Sequence, residues 1–313
     1  MTLIDAIKNS NCVLVIGHQR PDGDCLGSGL SVLHICEKFG KKVDMLCDSD
    51  NPSQYSFMPG YERLNEKRYS DYDLLIVVDC GDIYRMGKYQ GYIKSIPESF
   101  NIDHHKTNNH FGKYNTVLPN ASSTCELIYD LIKDNAVIDE TVASLLYVGL
   151  STDTGHFMHS NTTAKVLETA AALISLGADA FSLSSALYKN TTIGKTRLTA
   201  RALQSMRFFK DNRICIITIR QEDLQDTQCV VADTEGLIDY GMKIGCVEVA
   251  ICLTEQTRPH FKVSFRSKKC DVAAAASTFG GGGHTLAAGC VISGKYEDVI
   301  DKLLKSVTDG MSE

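Results

Sequence analysis

The segment CVLVIGHQRPDGDCLGSGL, residues 12–30, sets the architecture of the N-terminal half. Residues 12–17 form a short apolar run that predicts a buried strand, and residues 27–40 have the spacing of a helix that ends at Gly40. The connection between them carries His18, Asp22 and Asp24. A strand, a polar connection and a helix in this order are typical of one unit of a parallel sheet.

The same alternation continues along the chain. Further strands are predicted at 42–47, 73–78 and 99–103, and four helices follow, at 124–134, 139–153, 161–177 and 181–190. This pattern predicts an α/β fold whose first domain, residues 1–190, is a mostly parallel sheet flanked by helices.

The pattern changes after residue 190. Residues 191–210 are rich in Arg and Lys and are interpreted as a helical linker. Beyond it we expect a smaller α/β substrate-binding domain at 211–313, with the following elements in order: a strand at 213–219, paired strands at 246–255 and 260–267 around a turn with Pro259, a helix at 271–279 and a closing helix at 295–313.

Composition narrows the class of protein. The net charge of −6 argues against broad binding to long duplex nucleic acid, which calls for an excess of Lys and Arg. The 12 cysteines are scattered and favour a reduced compartment. The N-terminus does not resemble a secretory signal, and no apolar run reaches membrane-spanning length, so we expect a cytoplasmic protein without membrane partners.

Acidic residues and histidines follow or end regular elements at four places. These places are GHQRPDGD (17–24), VVDCGD (77–82), NIDHH (101–105) and GLSTDTG (149–155). Each segment alone has a structural explanation as a turn or a helix cap. Because ligands bind at the carboxyl edge of an open parallel sheet, four such segments in this order predict one shared site.

Carboxylates at that edge repel one another unless cations lie between them. Asp22 and Asp24 are expected on the same side of an extended loop, with Gly23 between them, and Asp79 is our choice for a carboxylate that bridges two ions. A ligand set that is mostly Asp, with some His and no Cys, favours Mn²⁺ over Zn²⁺, and Mg²⁺ and Co²⁺ are alternatives. Paired ions of this kind activate water and polarise phosphoryl groups.

These motifs together resemble those of the DHH phosphoesterase superfamily. The matching segments are His18-x-x-Pro21-Asp22-x-Asp24-x-x-Gly27-Ser28, Asp79-Cys80 followed by Arg85, Asp103-His104-His105, and Thr152-Asp153-Thr154-Gly155. Arg266 in VSFRSK and FGGGGHTLAAG at 279–289 resemble the DHH-associated C-terminal substrate domain. The resemblance covers nearly the whole chain, with its motifs in the expected order.

The resemblance implies a division of ligands between two ions. It assigns His18, Asp22 and Asp79 to the first ion and Asp24, Asp79, His104 and Asp153 to the second. It also implies that Asp103 and His105 lie beside the ions as catalytic residues that support the site and contact phosphate. Arg85 is a further catalytic candidate that would neutralise charge near the site.

The glycine run suggests where the substrate is held. Gly281, Gly282 and Gly283, followed by His284, would let backbone N–H groups approach an anion, although an isolated run of this kind also suits a flexible hinge. Arg266 at the end of a predicted strand adds a cation suited to phosphate. The resemblance places this nucleotide pocket opposite the metals.

Within the family, the chain looks most like the nano-RNase and pAp phosphatase group, which cleaves short RNA and 3′-phosphoadenosine 5′-phosphate. Two alternatives stay open, namely a cyclic di-AMP phosphodiesterase and a non-catalytic nucleotide sensor. The chain has little room for the extra domain of RecJ exonucleases, and the FGGGGH run speaks against the pyrophosphatases. Short RNA or a small nucleotide is therefore the expected partner, and a homodimer is one option for assembly.

Overall fold

The computed structural model describes residues 1–257 and 259–308. The chain divides into two compact units, the first from Met1 to Asn190 and the second beginning at Thr191. Each unit has its own sheet and its own apolar core.

The first unit alternates helices with short strands. In chain order these are α1 (Leu3–Asn9), β1 (Cys12–Ile16), α2 (Gly23–Lys38), β2 (Lys42–Leu46), β3 (Leu74–Val78), α3 (Tyr92–Ser95), β4 (Ser99–Asp103), β5 (Tyr114–Val117), α4 (Thr124–Ile132), α5 (Glu140–Asp153), α6 (Ala164–Ser175) and α7 (Ala180–Tyr188). The strands form one sheet in the order β2-β1-β3-β4-β5, with every neighbouring pair parallel. The predicted fold class is therefore confirmed.

Both faces of this sheet are covered, which explains the continuous apolar strands. Val13 and Val15 of β1 face the core that α2, α4 and α5 complete, whereas Leu14 and Ile16 face a second cluster with Met86. Every residue of β1 and β3 is buried.

In this unit one local prediction was wrong and one strand was missed. Helix α2 begins at Gly23 rather than residue 27, because the Asp22 carboxylate caps it by accepting hydrogen bonds from the backbone N–H groups of Asp24 and Cys25. Strand β5 was not expected, because its sequence YNTV is short and half polar, as suits the edge of a sheet.

The second unit also mixes helices and strands. Its elements are α8 (Ile193–Gln204), β6 (Arg207–Phe209), β7 (Ile214–Ile219), α9 (Gln221–Thr227), α10 (Ile238–Met242), β8 (Val249–Thr257), β9 (His260–Ser267), α11 (Val272–Ser277), β10 (Gly282–His284), β11 (Ala287–Ser293) and α12 (Tyr296–Thr308). The sheet order is β10-β11-β9-β8-β7-β6. Helices α11 and α12 pack on one face, whereas α8 and α10 cover the β7–β8 part of the other.

The stretch predicted as a helical linker, 191–210, folds into α8 and β6 of the second unit. Leu198 and Ala202 of α8 are buried in that unit's core with residues of β7. The closing helix follows the prediction to Thr308, and residues 309–313 lie outside the described part. The hairpin of β10 and β11 was not predicted, because a run of glycines carries no strand signal.

No single helix among residues 1–257 and 259–308 is both long and apolar enough to cross a bilayer. Helices α6 and α7 meet the length and composition requirement only as a pair, and the pair is bent by 113°.

Candidate metal centre

The four acidic segments meet at the carboxyl edge of the first sheet. His18 lies two residues after β1, Asp79 directly follows β3, and Asp103 is the last residue of β4. Asp153 is the last residue of α5. Parallel strands end at the same edge, so short connections are enough to gather these side chains.

Asp22 and Asp24 do not lie on an extended loop, contrary to the prediction. Asp22 is the N-cap of α2 and Asp24 lies in its first turn, so the helix sets the separation of the two carboxylates. Asp22 is half exposed, whereas Asp24 is fully buried. The positive end of the α2 dipole favours both negative charges.

The Asp79 carboxylate lies between two histidines. Its Oδ2 is 3.4 Å from Nε2 of His18, and its Oδ1 is 3.6 Å from Nε2 of His104. Two ligands of one ion with bonds near 2.1 Å are about 3.0–3.6 Å apart, so each distance would suit an ion held jointly by Asp79 and one histidine. One carboxylate thus has one oxygen near each of the two histidines.

Each histidine is accompanied by further carboxylates. Nε2 of His18 is 3.7 Å from Oδ1 of Asp22. Nε2 of His104 is 3.3 Å from Oδ2 of Asp153 and 3.9 Å from Oδ2 of Asp24. All six side chains that the sequence predicts as metal ligands thus converge.

Both histidines present the same nitrogen to the carboxylates. Nδ1 of His18 lies 2.8 Å from the Gln19 carbonyl oxygen, and Nδ1 of His104 lies 3.4 Å from that of Ala121. A ring whose Nδ1–H donates to a carbonyl keeps the lone pair of Nε2 for a cation. Backbone contacts therefore orient both rings for coordination.

The N-terminus of α4 holds Asp24 in place. The backbone N–H groups of Thr124 and Cys125 donate to its two oxygens at 2.6 and 2.9 Å, and the Thr124 hydroxyl donates to Oδ1 of Asp79 at 3.0 Å. Ser123 caps this helix by accepting from the Glu126 N–H. The helix thus orients two carboxylates of the centre at once.

The titration of the centre indicates unbalanced negative charge. Burial and then the carboxylates of Asp79 and Asp153 raise the pKa of Asp24 well above its ordinary value of 3.8. Burial and then the carboxylate of Asp79 raise the pKa of Asp153 to about 7. Buried acids that repel one another in this way are stabilised by cations between them. The donor set of Asp and His residues therefore fits two divalent ions.

His105 and Asp103 form a pair beside these residues. Nδ1 of His105 is 2.6 Å from Oδ1 of Asp103, and the Asn108 side-chain amide donates to Oδ2 of Asp103 at 2.6 Å. The hydrogen bond to Asp103 raises the pKa of His105, which burial alone would lower. His105 is partly exposed, and its Nδ1 lies 3.7 Å from Oδ1 of Asp79.

The backbone at Asp79 and at Arg85 also shapes this edge of the sheet. Asp79 has a φ of +58°, a left-handed conformation that is uncommon outside glycine and aims its carboxylate between the histidines. Arg85 lies in a 3₁₀ segment capped by Asp82, and its carbonyl accepts from Gln19 N–H at 2.8 Å. The Arg85 side chain is exposed.

The predicted substrate residues gather on the second sheet. His284 of β10 pairs with Ala287 of β11, which pairs with Arg266 of β9. Residues that are directly opposite in antiparallel strands project to the same face, so Arg266 and His284 share one face, roughly 10 Å apart across the small Ala287. Lys262 lies on that same exposed face, four residues before Arg266.

The glycines of the run differ in their surroundings. A side chain at Gly281 would approach the Gly289 carbonyl oxygen to 2.2 Å, and one at Gly283 would approach that of Ala287 to 2.5 Å. Gly282 meets nothing within 4 Å. Close packing of the hairpin therefore requires Gly281 and Gly283, while Gly282 is exposed at the surface.

Comparison with known proteins adds to this geometry. The model of the DHH family, N-terminal domain, matches residues 12–150, and that of the DHHA1 domain matches residues 231–313. The chain therefore carries a DHH domain followed by a DHHA1 domain. The resemblance read from its motifs is confirmed.

Similar proteins align with most of this chain. It is 29% identical to the probable bifunctional oligoribonuclease and PAP phosphatase NrnA of Streptococcus mutans, over 92% of each chain. It is 27% identical to the NrnA protein of Mycoplasma genitalium, over 97% of this chain and 96% of the relative. The crystal structure of an exopolyphosphatase-related protein from Bacteroides fragilis superimposes with a TM-score of 0.88 at 25% identity, covering 98% and 95% of the two chains.

Three residues of the centre escaped the sequence-based reasoning. Thr124 and Asn108 are ordinary polar residues in the sequence, and only their hydrogen bonds to Asp79 and Asp103 reveal a part in the centre. Cys25 directly follows Asp24, but no two cysteines have the close spacing typical of a zinc site, so the sequence does not indicate a thiol ligand. The only sequence feature that could have indicated Cys25 is its position next to a carboxylate of the motif.

Proposed function

We propose that this DHH protein hydrolyses short oligoribonucleotides and 3′-phosphoadenosine 5′-phosphate at a centre of two divalent ions, with Mn²⁺ as the working metal. The observation that carries the proposal is the Asp79 carboxylate, with one oxygen near His18 and the other near His104. As a DHH chain with NrnA relatives over more than nine-tenths of its length, the protein is a hydrolase of phosphoester bonds.

In this proposal, His18, Asp22 and Asp79 hold one ion, and Asp24, Asp79, His104 and Asp153 hold the other. When bound, such ions acidify an attacking water and draw charge from the phosphoryl oxygens. The protein keeps its ligands rigid through the helix caps and backbone contacts of Asp24, His18 and His104.

In this proposal His105 supplies a hydrogen-bond donor next to the ions, and the Asp103 carboxylate favours its protonated, positively charged form. Its Nδ1–H donates to Asp103, which leaves the Nε2–H to donate to a phosphoryl oxygen or to the departing oxygen. Asp103 is itself held by Asn108. Arg85 is exposed nearby and would add a cation for the charged substrate.

The second unit supplies the nucleotide-binding residues in this proposal. Arg266, His284 and Lys262 lie on one exposed face of its sheet. Their charges suit a terminal phosphate, and Gly282 beside His284 has open space around its Cα, so that an anion would meet no side chain there. A site that binds a nucleotide end would favour short substrates over long chains.

A second candidate function is hydrolysis of cyclic di-AMP. The chain is 26% identical to the cyclic-di-AMP phosphodiesterase PdeA of Listeria monocytogenes, over 90% of this chain but only 45% of the relative. Because the match with NrnA proteins covers both partners almost fully, short RNA and 3′-phosphoadenosine 5′-phosphate are favoured.

The test is a turnover panel with Mn²⁺ that compares two- to five-nucleotide RNA, 3′-phosphoadenosine 5′-phosphate, cyclic di-AMP, its linear product and pyrophosphate. Each substrate is assayed with the wild-type protein and with Asp79→Asn. We expect hydrolysis of the first two substrates and a loss of at least about a thousandfold in kcat for Asp79→Asn, because both ions lose a ligand. Asn also tolerates the left-handed backbone at this position.

Asp73→Asn is the matched control, because Asp73 precedes β3 at the opposite end of the strand from Asp79. Its carboxylate only accepts hydrogen bonds from Asn11 and Cys12. Preferred cleavage of cyclic di-AMP would support the second candidate instead. Nucleotide binding without any turnover would support a sensor, and full activity of Asp79→Asn would refute the two-ion centre.

A further inference from the structure

The His18 side of the centre has an additional donor, the thiol of Cys25. The ligand atoms of His18, Cys25 and Asp79 all lie within 4.8 Å of one another, and all three residues are buried. Cys25 has no exposed surface and lies in the first turn of α2, directly after Asp24. Its backbone N–H donates to Oδ1 of Asp22 at 3.1 Å, so its main chain also contacts this ligand set.

Gly17 leaves the space that the thiol occupies. A side chain at Gly17 would place its Cβ 2.4 Å from Sγ of Cys25 and 2.9 Å from Sγ of Cys47. Cys47 therefore borders the same space as Cys25. Among the described residues, however, Cys25 belongs to a group of side chains that could hold a metal ion, and Cys47 does not.

The His104 side differs in its chemistry. Its donors are the imidazole of His104 and the carboxylates of Asp24 and Asp153, together with Asp79. Cys125 lies close to Asp24, but its Sγ contacts the backbone carbonyl of Asp24 at 3.6 Å. The donors on the His104 side are thus nitrogen and oxygen, whereas those on the His18 side include sulfur.

We propose that Cys25 binds the ion on the His18 side as a thiolate, and that this side consequently binds thiophilic ions such as Zn²⁺ and Co²⁺ more tightly than it binds the working metal Mn²⁺. Thiolate ligands favour such ions over Mn²⁺ and Mg²⁺, which the oxygen-rich His104 side continues to accept. On binding, the sulfur–metal bond forms and the thiol proton passes to solvent, without any change of oxidation state. The inference rests on the proposed metal centre, and it means that the His18 side and the His104 side prefer different ions.

The experiment titrates Co²⁺ into the chelated full-length protein and records its absorption. Visible d–d bands report that Co²⁺ is bound, and a near-ultraviolet sulfur-to-Co²⁺ charge-transfer band reports a thiolate ligand. We expect the wild-type protein to show both, and Cys25→Ala to keep the visible bands and lose the charge-transfer band. Cys47→Ala, which removes the neighbouring thiol, should retain the charge-transfer band.

Zn²⁺ provides a second measurement. X-ray absorption of the Zn²⁺-loaded wild type should show one sulfur at about 2.3 Å, and Cys25→Ala should lose it. Zn²⁺ affinity should fall at least about tenfold in Cys25→Ala, with a smaller change for Mn²⁺. Thermal unfolding of the chelated variants checks their folding, and Cys25→Ser is a near-isosteric substitute if Ala proves unstable.

The outcomes separate this inference from the proposed function. Bound Co²⁺ without a charge-transfer band in the wild type would overturn the thiolate ligand and leave the two-ion centre standing. The same would follow from a band that survives in Cys25→Ala. A wild-type protein that binds no Co²⁺, Zn²⁺ or Mn²⁺ would overturn the centre itself.

Discussion

His105 and Asp103 are the residues at which the protein most clearly controls the charge beside the proposed ions. Their atoms Nδ1 and Oδ1 are 2.6 Å apart, and Asn108 holds the second oxygen of Asp103. Asp103 is completely buried, while His105 is 40% exposed on its side chain, so the histidine faces the substrate side of the pair. In the proposed function, Asp103 would therefore position His105, and His105 would contact phosphate.

The first prediction concerns the pH dependence of this pair. The Asp103 carboxylate raises the pKa of His105, so Asp103→Asn should lower it. His105 would then lose its proton at a lower pH, and the alkaline limb of the kcat profile should move to lower pH. Steady-state kinetics between pH 5 and 10 measures this shift.

Asp82→Asn is the control for that profile, because the Asp82 carboxylate caps the neighbouring 3₁₀ segment by accepting hydrogen bonds from the N–H groups of Tyr84 and Arg85. An alkaline limb that stays in place in Asp103→Asn would show that His105 does not act as a cation. A lower kcat with an unchanged pH dependence would mean that Asp103 has only a structural role.

Among the elements, α2 and α5 approach so closely that glycine is needed between them. A side chain at Gly27 of α2 would lie 2.5 Å from the Leu145 carbonyl oxygen of α5. One at Gly149 of α5 would lie 2.2 Å from Sγ of Cys125 and 2.9 Å from Oδ1 of Asp24. The contact between these two helices therefore fixes the position of a proposed ligand.

The second prediction tests this contact. Gly149→Ala should lower the free energy of unfolding by about 1–3 kcal/mol, because the added methyl group displaces Cys125 and Asp24. Metal affinity on the His104 side should fall with it. Chemical denaturation and isothermal titration with Mn²⁺ measure the two effects.

Gly91→Ala is the matched substitution, since Gly91 has a φ of −63° and nothing within 4 Å of its added Cβ. It should leave stability and Mn²⁺ affinity nearly unchanged. Equal effects of both substitutions would mean that close helix packing does not position Asp24.

For the whole molecule, the two units carry separable parts of the proposed function. The third prediction is that Arg266→Ala raises KM for short RNA and 3′-phosphoadenosine 5′-phosphate by at least about tenfold, because a cation–phosphate contact is lost. Mn²⁺ content and thermal stability should stay as in the wild type. Michaelis–Menten kinetics and metal analysis of the purified protein measure these quantities.

Lys302→Ala removes one exposed positive charge from α12, which packs on the opposite face of the same sheet. Its KM should match that of the wild type. If both substitutions raised KM equally, net charge rather than the Arg266 face would explain substrate binding.

The fourth prediction concerns the stability of the metal-free protein. The pKa of Asp153 is about 7 in the folded state against an ordinary value of 3.8, so between these two pH values the folded state binds more protons than the unfolded state. Stability of the chelated protein should therefore fall as pH rises through this window, by up to about 1.4 kcal/mol per pH unit for this group. Added Mn²⁺ should reverse the loss at pH 8.

Denaturation curves at several pH values measure the slope in the chelated wild type and in Asp153→Asn. The variant should show a shallower slope, because the amide has no charge to bury. An identical slope in both proteins would locate the pH dependence elsewhere in the centre.

Much of the first unit could be predicted because its signals are local. Apolar runs such as 73–78 are buried on both faces, and the acids that follow them reach one edge because parallel strands share a direction. The start of α2 was misplaced because an Asp-Gly-Asp segment suits a turn as well as a helix cap. The hairpin at Gly282 was missed because its pairing depends on the β11 backbone, and no local pattern reports that.

The sequence by itself determined the α/β class, the family, and the six side chains from His18 to Asp153 that converge, because each of these follows from residue order and strand direction. Only the tertiary structure decided how Asp79 divides its two oxygens between His18 and His104. It also decided that Thr124 donates a hydrogen bond to Asp79 and that the ligand atoms of Cys25 and His18 lie within 4.8 Å of one another. These contacts join residues up to about a hundred positions apart or depend on side-chain direction, which helix packing sets and residue order does not.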